Sequence, residues 1–479
     1  MTPKQAVVLA LAAFVALGAC GDDKETLPEQ PLVQVTAASP FPAACNGPTQ
    51  FGTNYRGAEV EPFVAYDPSD PMHLVGVWQQ DRWSNGGANG LGAAASFDGG
   101  ASWTTTFPRF SNCSGGDSVH GGNYERTSDP WVTITNDGTV YFISISFDQS
   151  NQGARNSVLA VQSTDGGRTW SDPTPLIADN DPDVFNDKES ITADTVDGRH
   201  VYAVWDRLTG QLTPQQPIGG GPAWMARNTD GVWEPSRIIY DPGTDNQTIS
   251  NIIAVLPDGT LIDVFYQIEM ISSTGSPAYV AVVRSEDHGD TWSPVIKIAP
   301  IVGARVQDDA GVPVRTGGLP TIAVDNDSGA VYVAWEDGSF TQGAVDAVAM
   351  STSLDGGKTW SAPARVNQSA THDAFTPGLA AANGVLTLTY YDLRANDDSD
   401  GSRFLASAWL AQSRDGGGSW TESALSEPFD LKQAFFGGVY FIGDYQGLAA
   451  AVANDKVLPF FAVTGDSASD PTDIFVPKP

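Results

Sequence analysis

Residues 163–170 read Ser-Thr-Asp-Gly-Gly-Arg-Thr-Trp, and close copies of this octet recur along the chain. The shared pattern, Ser-x-Asp-x-Gly-x-Thr/Ser-Trp, is called an Asp-box here; further copies span 96–103, 285–292, 353–360 and 413–420, and a shortened one spans 228–233. The Asp carboxylate can accept hydrogen bonds from backbone N–H groups of a tight turn, and the glycines tolerate positive φ. The Trp begins the next strand with a large apolar ring. The repetition predicts a repeat architecture.

A second repeating phrase lies between the octets and consists of an apolar strand, a short polar turn and a strand ending in aromatic residues. Its copies span 61–78, 129–147, 189–205, 250–266, 319–335, 377–391 and 447–463. Asp-Gly and Asn-Gly at their centres are hairpin signals. The last copy is followed by one more short strand, 472–476, whereas 32–37 before the first copy alternates like a strand. We therefore predict an all-β, seven-bladed β-propeller closed by an N-terminal strand, with six blades as the alternative.

The composition favours an exported, acidic protein. Hydrophobic residues make up 41% of the chain, with 13 Trp, 13 Tyr and 21 Phe, which is ample for a large β-rich core. The 25 Lys and Arg against 57 Asp and Glu give a net charge of −32. Such a surface repels phosphate backbones and anionic lipids, which argues against nucleic-acid binding. We attribute the acidity to solubility or salt tolerance and expect a monomer.

The first twenty residues are predicted to be a targeting segment. Lys4 gives the positive start, 6–15 the apolar stretch, and Leu17-Gly18-Ala19-Cys20 resembles a bacterial lipobox. That resemblance implies cleavage before Cys20 and a lipid on its sulfur; an ordinary secretory signal is the alternative. Residues 21–31 are predicted to be a flexible tether and 32–479 a single propeller domain. The protein is thus expected in the bacterial envelope, at the outer membrane or cell surface, touching the membrane only through its anchor.

The two remaining cysteines are predicted to form a disulfide. With Cys20 assigned to the lipid, Cys45 and Cys113 are the pair left over. An oxidising envelope compartment allows a single pairing between them. Two buried free thiols are the alternative.

The Asp-boxes and the aromatic-rich strand pairs resemble the sialidase superfamily of Asp-box (BNR-repeat) propellers over residues 60–463. The resemblance implies that the Asp-box hairpins lie on one face and that ligands bind on the other, around the central funnel. Two departures are visible in the sequence. Enzymes of this group usually have six blades, and the family's Phe/Tyr-Arg-Ile-Pro signature is replaced by Val60-Glu61-Pro62-Phe63.

The resemblance also implies arginines that clamp a sugar carboxylate, an acid/base carboxylate and a Tyr–carboxylate nucleophile pair. Loop position supplies the candidates. Asp129 or Glu189 is the predicted acid/base, and Tyr445 beside Asp444 the predicted nucleophile pair. The candidate substrate-binding residues are Arg126, Arg315 and Arg394, with Arg82 or Arg207 as substitutes, together with Glu61 and Asn246. For each residue the alternative is an Arg–carboxylate bridge that lines a wet channel.

Other chemistries have little support in the sequence. The five histidines show no paired zinc spacing, and neither a phosphate loop nor a Gly-x-Ser-x-Gly elbow occurs. We therefore predict no metal and no cofactor. Residues 396–401 match half of a calcium loop but Ser407 replaces its final Glu, so an exposed acidic loop is preferred and calcium is the alternative.

Two functions remain open. The first is an envelope-anchored exo-glycosidase of sialidase-like type acting on extracellular glycans. The second is a non-catalytic propeller that binds glycan or protein at the cell surface.

Overall fold

The computed structural model describes residues 31–47, 50–149, 155–210, 220–270, 276–316, 319–397, 399, 401–451, 456–467 and 469–479. The predicted signal segment 1–20, with Cys20, and nearly all of the tether lie outside these residues, so both stay predictions. Within the described ranges, no helix is long and apolar enough to cross a membrane.

The described chain is all-β, as predicted, and its helical turns there are two short 3₁₀ segments, Ser339–Thr341 and Leu431–Gln433. The strands of its first part are β1 (Leu32–Gln34), β2 (Val60–Asp67), β3 (Asp70–Arg82), β4 (Ala88–Ser96), β5 (Thr104–Thr106), β6 (Arg126–Ile134), β7 (Val140–Phe147), β8 (Arg155–Ser163), β9 (Thr174–Asn180), β10 (Val184–Ala193), β11 (His200–Thr209), β12 (Ala223–Thr229), β13 (Val232–Trp233), β14 (Arg237–Tyr240), β15 (Gln247–Val255), β16 (Leu261–Ile268), β17 (Ala278–Ser285) and β18 (Ile296–Pro300). Those of its second part are β19 (Thr321–Asp325), β20 (Ala330–Asp337), β21 (Ala347–Ser353), β22 (Ala364–Arg365), β23 (Ala374–Ala382), β24 (Val385–Asp392), β25 (Leu405–Ser413), β26 (Thr421–Ala424), β27 (Phe429–Asp430), β28 (Phe435–Phe436), β29 (Tyr440–Phe441), β30 (Gly447–Ala451), β31 (Lys456–Ser467) and β32 (Asp470–Pro477).

Strands pair mainly with their neighbours in sequence, in antiparallel register. The groups are β2-β3-β4-β5, β6-β7-β8-β9, β10-β11-β12-β13, β15-β16-β17-β18, β19-β20-β21-β22, β23-β24-β25-β26 and β30-β31-β32-β1. The first two groups are joined by one pairing, Ala88 with Thr127. In the last group, β1 pairs with β32 from Leu32↔Pro477 to Gln34↔Phe475, so strands from both ends of the chain share one sheet.

The first strands of these groups surround a central cavity. The strands β2, β6, β10, β15, β19, β23 and β30 contact one another in that order, and β30 also contacts β2. The cavity that they line has a volume of about 370 Å³. Trp78, Trp205 and Trp335 are fully buried in the apolar clusters of their sheets, so the aromatic ends of the predicted strands form much of the core.

The Asp-box turns share one set of hydrogen bonds. The Asp165 carboxylate accepts the Thr169 backbone N–H at 2.9 Å and its hydroxyl at 2.6 Å, while the Ser163 hydroxyl accepts the Gly167 N–H at 2.9 Å. The Thr169 hydroxyl bond is the main reason that the pKa of Asp165 falls to about 2. Equivalent bonds fix the turns at Asp98, Asp287, Asp355 and Asp415. These aspartates stabilise hairpins, and none of them is among the residues that line the central cavity.

The predicted disulfide is present between Cys45 and Cys113, which are 68 residues apart. It ties the segment before β2 to the loop between β5 and β6. Reduction is expected to lower the free energy of unfolding by about 2–4 kcal/mol, because the bond limits the freedom of the unfolded chain. Urea unfolding with and without dithiothreitol measures this, and a Cys45→Ala/Cys113→Ala variant should show no reductant effect. Equal midpoints for the oxidised and reduced wild type would contradict the prediction.

Candidate active site at one end of the central cavity

The first strands carry a repeated irregularity that displays polar side chains. In five of these strands, two successive residues face one residue of the partner strand, so that the register shifts by one residue. The first of the two has a positive φ although it is not glycine. These residues are Glu61 (54°), Asp129 (54°), Lys188 (51°), Ser250 (59°) and Thr376 (53°). Bulges of this kind re-aim side chains, and left-handed backbone in such residues costs roughly 1–2 kcal/mol each. The strain is concentrated where the cavity ends, which is typical of a functional site.

Lys188 is the centre of a buried charged group. Its Nζ lies 2.5 Å from Asp444 Oδ2, 3.4 Å from Asp129 Oδ2 and 3.8 Å from Glu61 Oε1. Arg315 also binds Asp444. Burial opposes the charge of Lys188, but Asp129, Asp444 and Glu61 outweigh it and hold its pKa above the ordinary value. Below, the Lys188 cluster means Glu61, Asp129, Lys188, Glu189, Arg315 and Asp444.

Two carboxyl groups of the cluster have opposite electrostatic environments. Burial and then the nearby Asp129 raise the pKa of Glu189 well above its usual range. For Asp444, burial acts in the same direction, but Lys188 and Arg315 outweigh it and hold its pKa far below the ordinary value. The environment of Glu189 therefore favours its protonated form, and that of Asp444 favours its carboxylate form.

The Glu189 carboxyl group makes no hydrogen bond to a neighbouring residue in the described part of the chain. Only 2% of the residue is exposed. Glu189 lines the cavity together with Asp129, Lys188 and Asp444. An unpartnered neutral carboxyl group in a cavity is a suitable general acid.

Tyr445 lies in the cavity wall, where its hydroxyl donates to the Pro130 carbonyl at 3.1 Å. Burial raises its pKa well above the ordinary value. Its ring lies 5.2 Å from that of Trp131, which stacks at 3.7 Å on Phe63. A nucleophilic phenol needs a lowered pKa or an adjacent base, so this geometry favours a packing role for Tyr445.

Gly443 allows Asp444 to reach the cluster. Its φ is +126°, and a Cβ at this position would lie 2.8 Å from the backbone nitrogen of Glu61. A side chain would therefore push the segment before Asp444 away from β2.

Two of the predicted arginines reach the cluster. Arg315 binds Asp444, and its guanidinium lies 4.8 Å from the Phe441 ring centre. Arg82 lies 5.3 Å from the same ring and donates to Gln79 Oε1 at 2.9 Å. Gln79 in turn donates to Glu61.

The other three arginines are held by local partners instead of converging on the cluster. Each guanidinium also lies over a tryptophan ring, at 4.2, 4.8 and 3.7 Å from its centre. The pairs are Arg126 with the carbonyls of Phe51 and Gly86, Arg207 with Asp179, and Arg394 with Asp392 and Glu422. Asn246 is used similarly, since it donates to the Pro242 carbonyl and accepts the Met270 N–H.

Sequence reasoning assigned no catalytic or binding role to Lys188, the central cation of the site. Lys188 stands in the run Asn186-Asp187-Lys188-Glu189-Ser190 at the start of a strand phrase, and its charge alternation was the available signal. Asp187 beside it is half-buried, and desolvation followed by Asp129 raises its pKa to about 6. The half calcium loop stays untested, because Asp398 and Asp400 lie outside the described residues.

Comparison with known proteins finds a sequence match to a sialidase, which agrees with the resemblance inferred from the repeated octets. No protein-family model matches the sequence. A sialidase from Micromonospora viridifaciens is 28% identical over 242 residues, a match that covers 42% of this chain and 35% of the sialidase. The chain thus spans about a third of that relative's length.

Several solved structures are similar at low sequence identity. A protein of unknown function from Dyadobacter fermentans has 13% identity and a TM-score of 0.46, covering 89% of this chain and 95% of its own. The α-L-arabinanase of Penicillium chrysogenum, complexed with arabinobiose, has 11% identity and a TM-score of 0.45, and the match covers 88% of this chain and 97% of the arabinanase. Trypanosoma rangeli sialidase, in complex with sialic acid, has 13% identity and a TM-score of 0.41, and the match covers 74% of this chain and 54% of the sialidase. The sequence match to a sialidase confirms the resemblance predicted from the Asp-boxes.

Proposed function

We propose that this protein is an exo-acting glycoside hydrolase whose active site is the Lys188 cluster. The observation that carries the proposal is the pairing of a neutral, unpartnered Glu189 with the carboxylate of Asp129 in one cavity. Glycoside hydrolysis requires a protonated acid and an ionised carboxylate on opposite sides of the scissile bond. A cavity of about 370 Å³ falls within the size range of ligand pockets.

In this mechanism, Glu189 donates its proton to the glycosidic oxygen as the bond from that oxygen to the anomeric carbon breaks. Water supplies the hydroxyl group that the anomeric carbon gains, and Asp129 receives the proton that the water loses. Asp129 Oδ2 makes no hydrogen bond among the described residues and faces Lys188, whereas Ser128 fixes Oδ1 at 2.5 Å. The aromatic wall of Phe63, Trp131 and Tyr445 offers a surface on which a sugar ring can pack.

The charge balance of the site favours a neutral sugar. Burial, followed by Asp129, raises the pKa of Glu61 to about 8, so Glu61 is mostly uncharged at pH 7. The remaining charges then balance, with the cations of Arg82, Lys188 and Arg315 against the carboxylates of Asp129, Asp187 and Asp444. No surplus cation is left for a sugar carboxylate, and the other arginines are held elsewhere.

We also propose that the fold is a seven-bladed β-propeller. The seven strand groups and the cyclic order of their first strands support seven blades. The β1–β32 pairing supports closure of the ring by the N-terminal strand. The lipobox-like tetrapeptide and the Cys45–Cys113 disulfide support a lipoprotein that meets extracellular glycans at the envelope. A monomer is part of the same proposal.

A screen of the purified protein against aryl glycosides tests the activity. The panel contains neutral hexosides and pentosides and the aryl sialoside, and a glycan array is probed in parallel. We expect hydrolysis of at least one neutral glycoside and a sialoside rate at least about tenfold lower, because of the charge balance. Faster turnover of the sialoside would overturn the neutral specificity. Binding on the array without any turnover would overturn catalysis and favour a glycan-binding protein.

A further inference from the structure

A second cluster of polar side chains lies at the other end of β11 from the Lys188 cluster. It consists of Asp197 in the turn between β10 and β11, His200 at the start of β11, and His288 in the Asp-box 285–292. One coordinating atom from each of the three lies within 4.8 Å of the other two. We infer that these residues form a binding site for a divalent transition-metal ion of the zinc class.

The two imidazole rings are oriented for coordination. His200 Nδ1 lies 3.1 Å from the Thr229 hydroxyl. His288 Nδ1 lies 3.4 Å from the Tyr202 hydroxyl and 3.9 Å from Asp194 Oδ2. These contacts occupy Nδ1 and leave Nε2 of each ring as the coordinating atom. Outer-shell partners of this kind fix the tautomer and orientation of metal-binding histidines.

The position of His288 in its Asp-box is independent support. The fourth residue of every other full octet is glycine with positive φ, namely Gly99 (73°), Gly166 (73°), Gly356 (72°) and Gly416 (69°). His288 takes the same left-handed conformation, with φ of 56°, at a cost that glycine does not have. The side chain carried there faces His200, with 5.0 Å between the ring centres.

The ligand set and its surroundings suit zinc. Imidazole nitrogen and carboxylate oxygen are common zinc ligands, and bonds of about 2.0–2.1 Å in a tetrahedron place ligand atoms ~3.4 Å apart. His200 Nε2 now lies 4.0 Å from Asp197 Oδ2, so a small closure of the side chains suffices. His288 is 39% exposed at its side chain, which gives an ion access from solvent.

One existing contact competes with the metal. Arg199 binds Asp197 Oδ2 at 3.0 Å, and its side chain is 58% exposed. This surface pair is weak and can open without breaking the core. The ion would then link the sheet of β10–β13 to the sheet of β15–β18 and leave a coordination position for water.

Zinc titration of the purified full-length protein tests the inference. Isothermal titration with ZnCl₂, checked by competition with a chromophoric chelator, should give one equivalent bound to the wild type. His288→Gly and His200→Gln should each weaken binding at least about tenfold, the lower range expected for loss of a ligand. His288→Gly restores the residue of the other octets, so its melting temperature without metal should equal or exceed that of the wild type.

The matched control is His372→Gln, which changes a histidine outside the cluster and should leave zinc binding unchanged. MgCl₂ and CaCl₂ should not displace the zinc, because hard cations prefer oxygen ligands. Wild-type protein that binds no stoichiometric zinc, or zinc affinity that His288→Gly leaves unaltered, would overturn the inference. The readout is binding alone, so it does not depend on the hydrolase activity.

Discussion

Glu189→Gln is expected to lower kcat on glycosides with poor leaving groups by about 10²–10⁴-fold, the contribution typical of general acid catalysis. The amide has the shape of the protonated side chain but cannot release a proton. Burial and Asp129 raise the pKa of Glu189, so the folded protein favours the neutral form that the amide resembles. The substitution should therefore leave the melting temperature nearly unchanged. Parallel kinetics and thermal unfolding measure both effects.

The leaving group separates an acid from a merely structural residue. A dinitrophenyl leaving group needs no protonation, so Glu189→Gln should impair that substrate far less than a simple phenyl glycoside. Tyr445→Phe should keep most of the activity, because the Tyr445 hydroxyl that it removes donates a hydrogen bond to the Pro130 carbonyl. Glu286→Gln, at an exposed position, is the control for a lost carboxyl group. Equal losses on both leaving groups would remove Glu189 from the acid role.

Lys188→Met is expected to destabilise the protein by about 3–5 kcal/mol at neutral pH, because it leaves the buried Asp129 without its cation and Asp444 with Arg315 alone. Lys188 contacts Asp444, Asp129 and Glu61, and its side chain is 9% exposed. Lys297→Met removes a more exposed lysine that pairs with Glu269 at 2.6 Å and should cost less than about 1 kcal/mol. Denaturant unfolding of both variants measures the difference, and equal losses would contradict the role of Lys188.

The loss in Lys188→Met should shrink as the pH falls. In the wild type, the pKa of Asp444 is lowered, so its contribution is present at neutral pH and lost only in strong acid. Without Lys188, burial dominates and the pKa values of the clustered carboxyl groups rise. A carboxyl group with a raised pKa in the folded state favours folding at low pH and loses that contribution as the pH increases. The variant should therefore lie closer to the wild type at pH 5 than at pH 8.

The fold could be predicted from the sequence because the same turn and strand patterns recur along the chain and each copy indicates the same local structure. Each Asp-box encodes its own turn bonds, such as those between Asp165 and Thr169, and each strand phrase encodes a hairpin. Cys45 and Cys113 could be paired because few alternatives remained. Counting the phrases also indicated where β1 and β32 belong. These features depend on neighbours in sequence, which one chain displays directly.

The site was predictable only in part. Loop position predicted that Glu61, Asp129, Glu189 and Asp444 face one funnel. In the structure they lie around Lys188 where the first strands surround the cavity, and their roles stay predictions. Loop position could not tell which arginines would converge, because Arg126 and Arg394 are long side chains that select nearby partners in the folded state. Nor could it reveal the left-handed backbone that aims Lys188 inward.

The histidine pair shows the same limit. His200 and His288 are far apart in sequence and match no zinc spacing, yet adjacent sheets place their rings 5.0 Å apart. The visible signal was a single departure from a repeat, the histidine in place of glycine in the octet 285–292.

The pH dependence of kcat/KM on the preferred neutral glycoside tests the central claim most directly. If Glu189 is the acid, activity falls only as the pH rises through its elevated pKa. The basic limb of the profile should then lie well above the ordinary range for glutamic acid. A profile in which activity already declines as the pH rises through about 4–5, where an unperturbed carboxyl group titrates, would contradict the account.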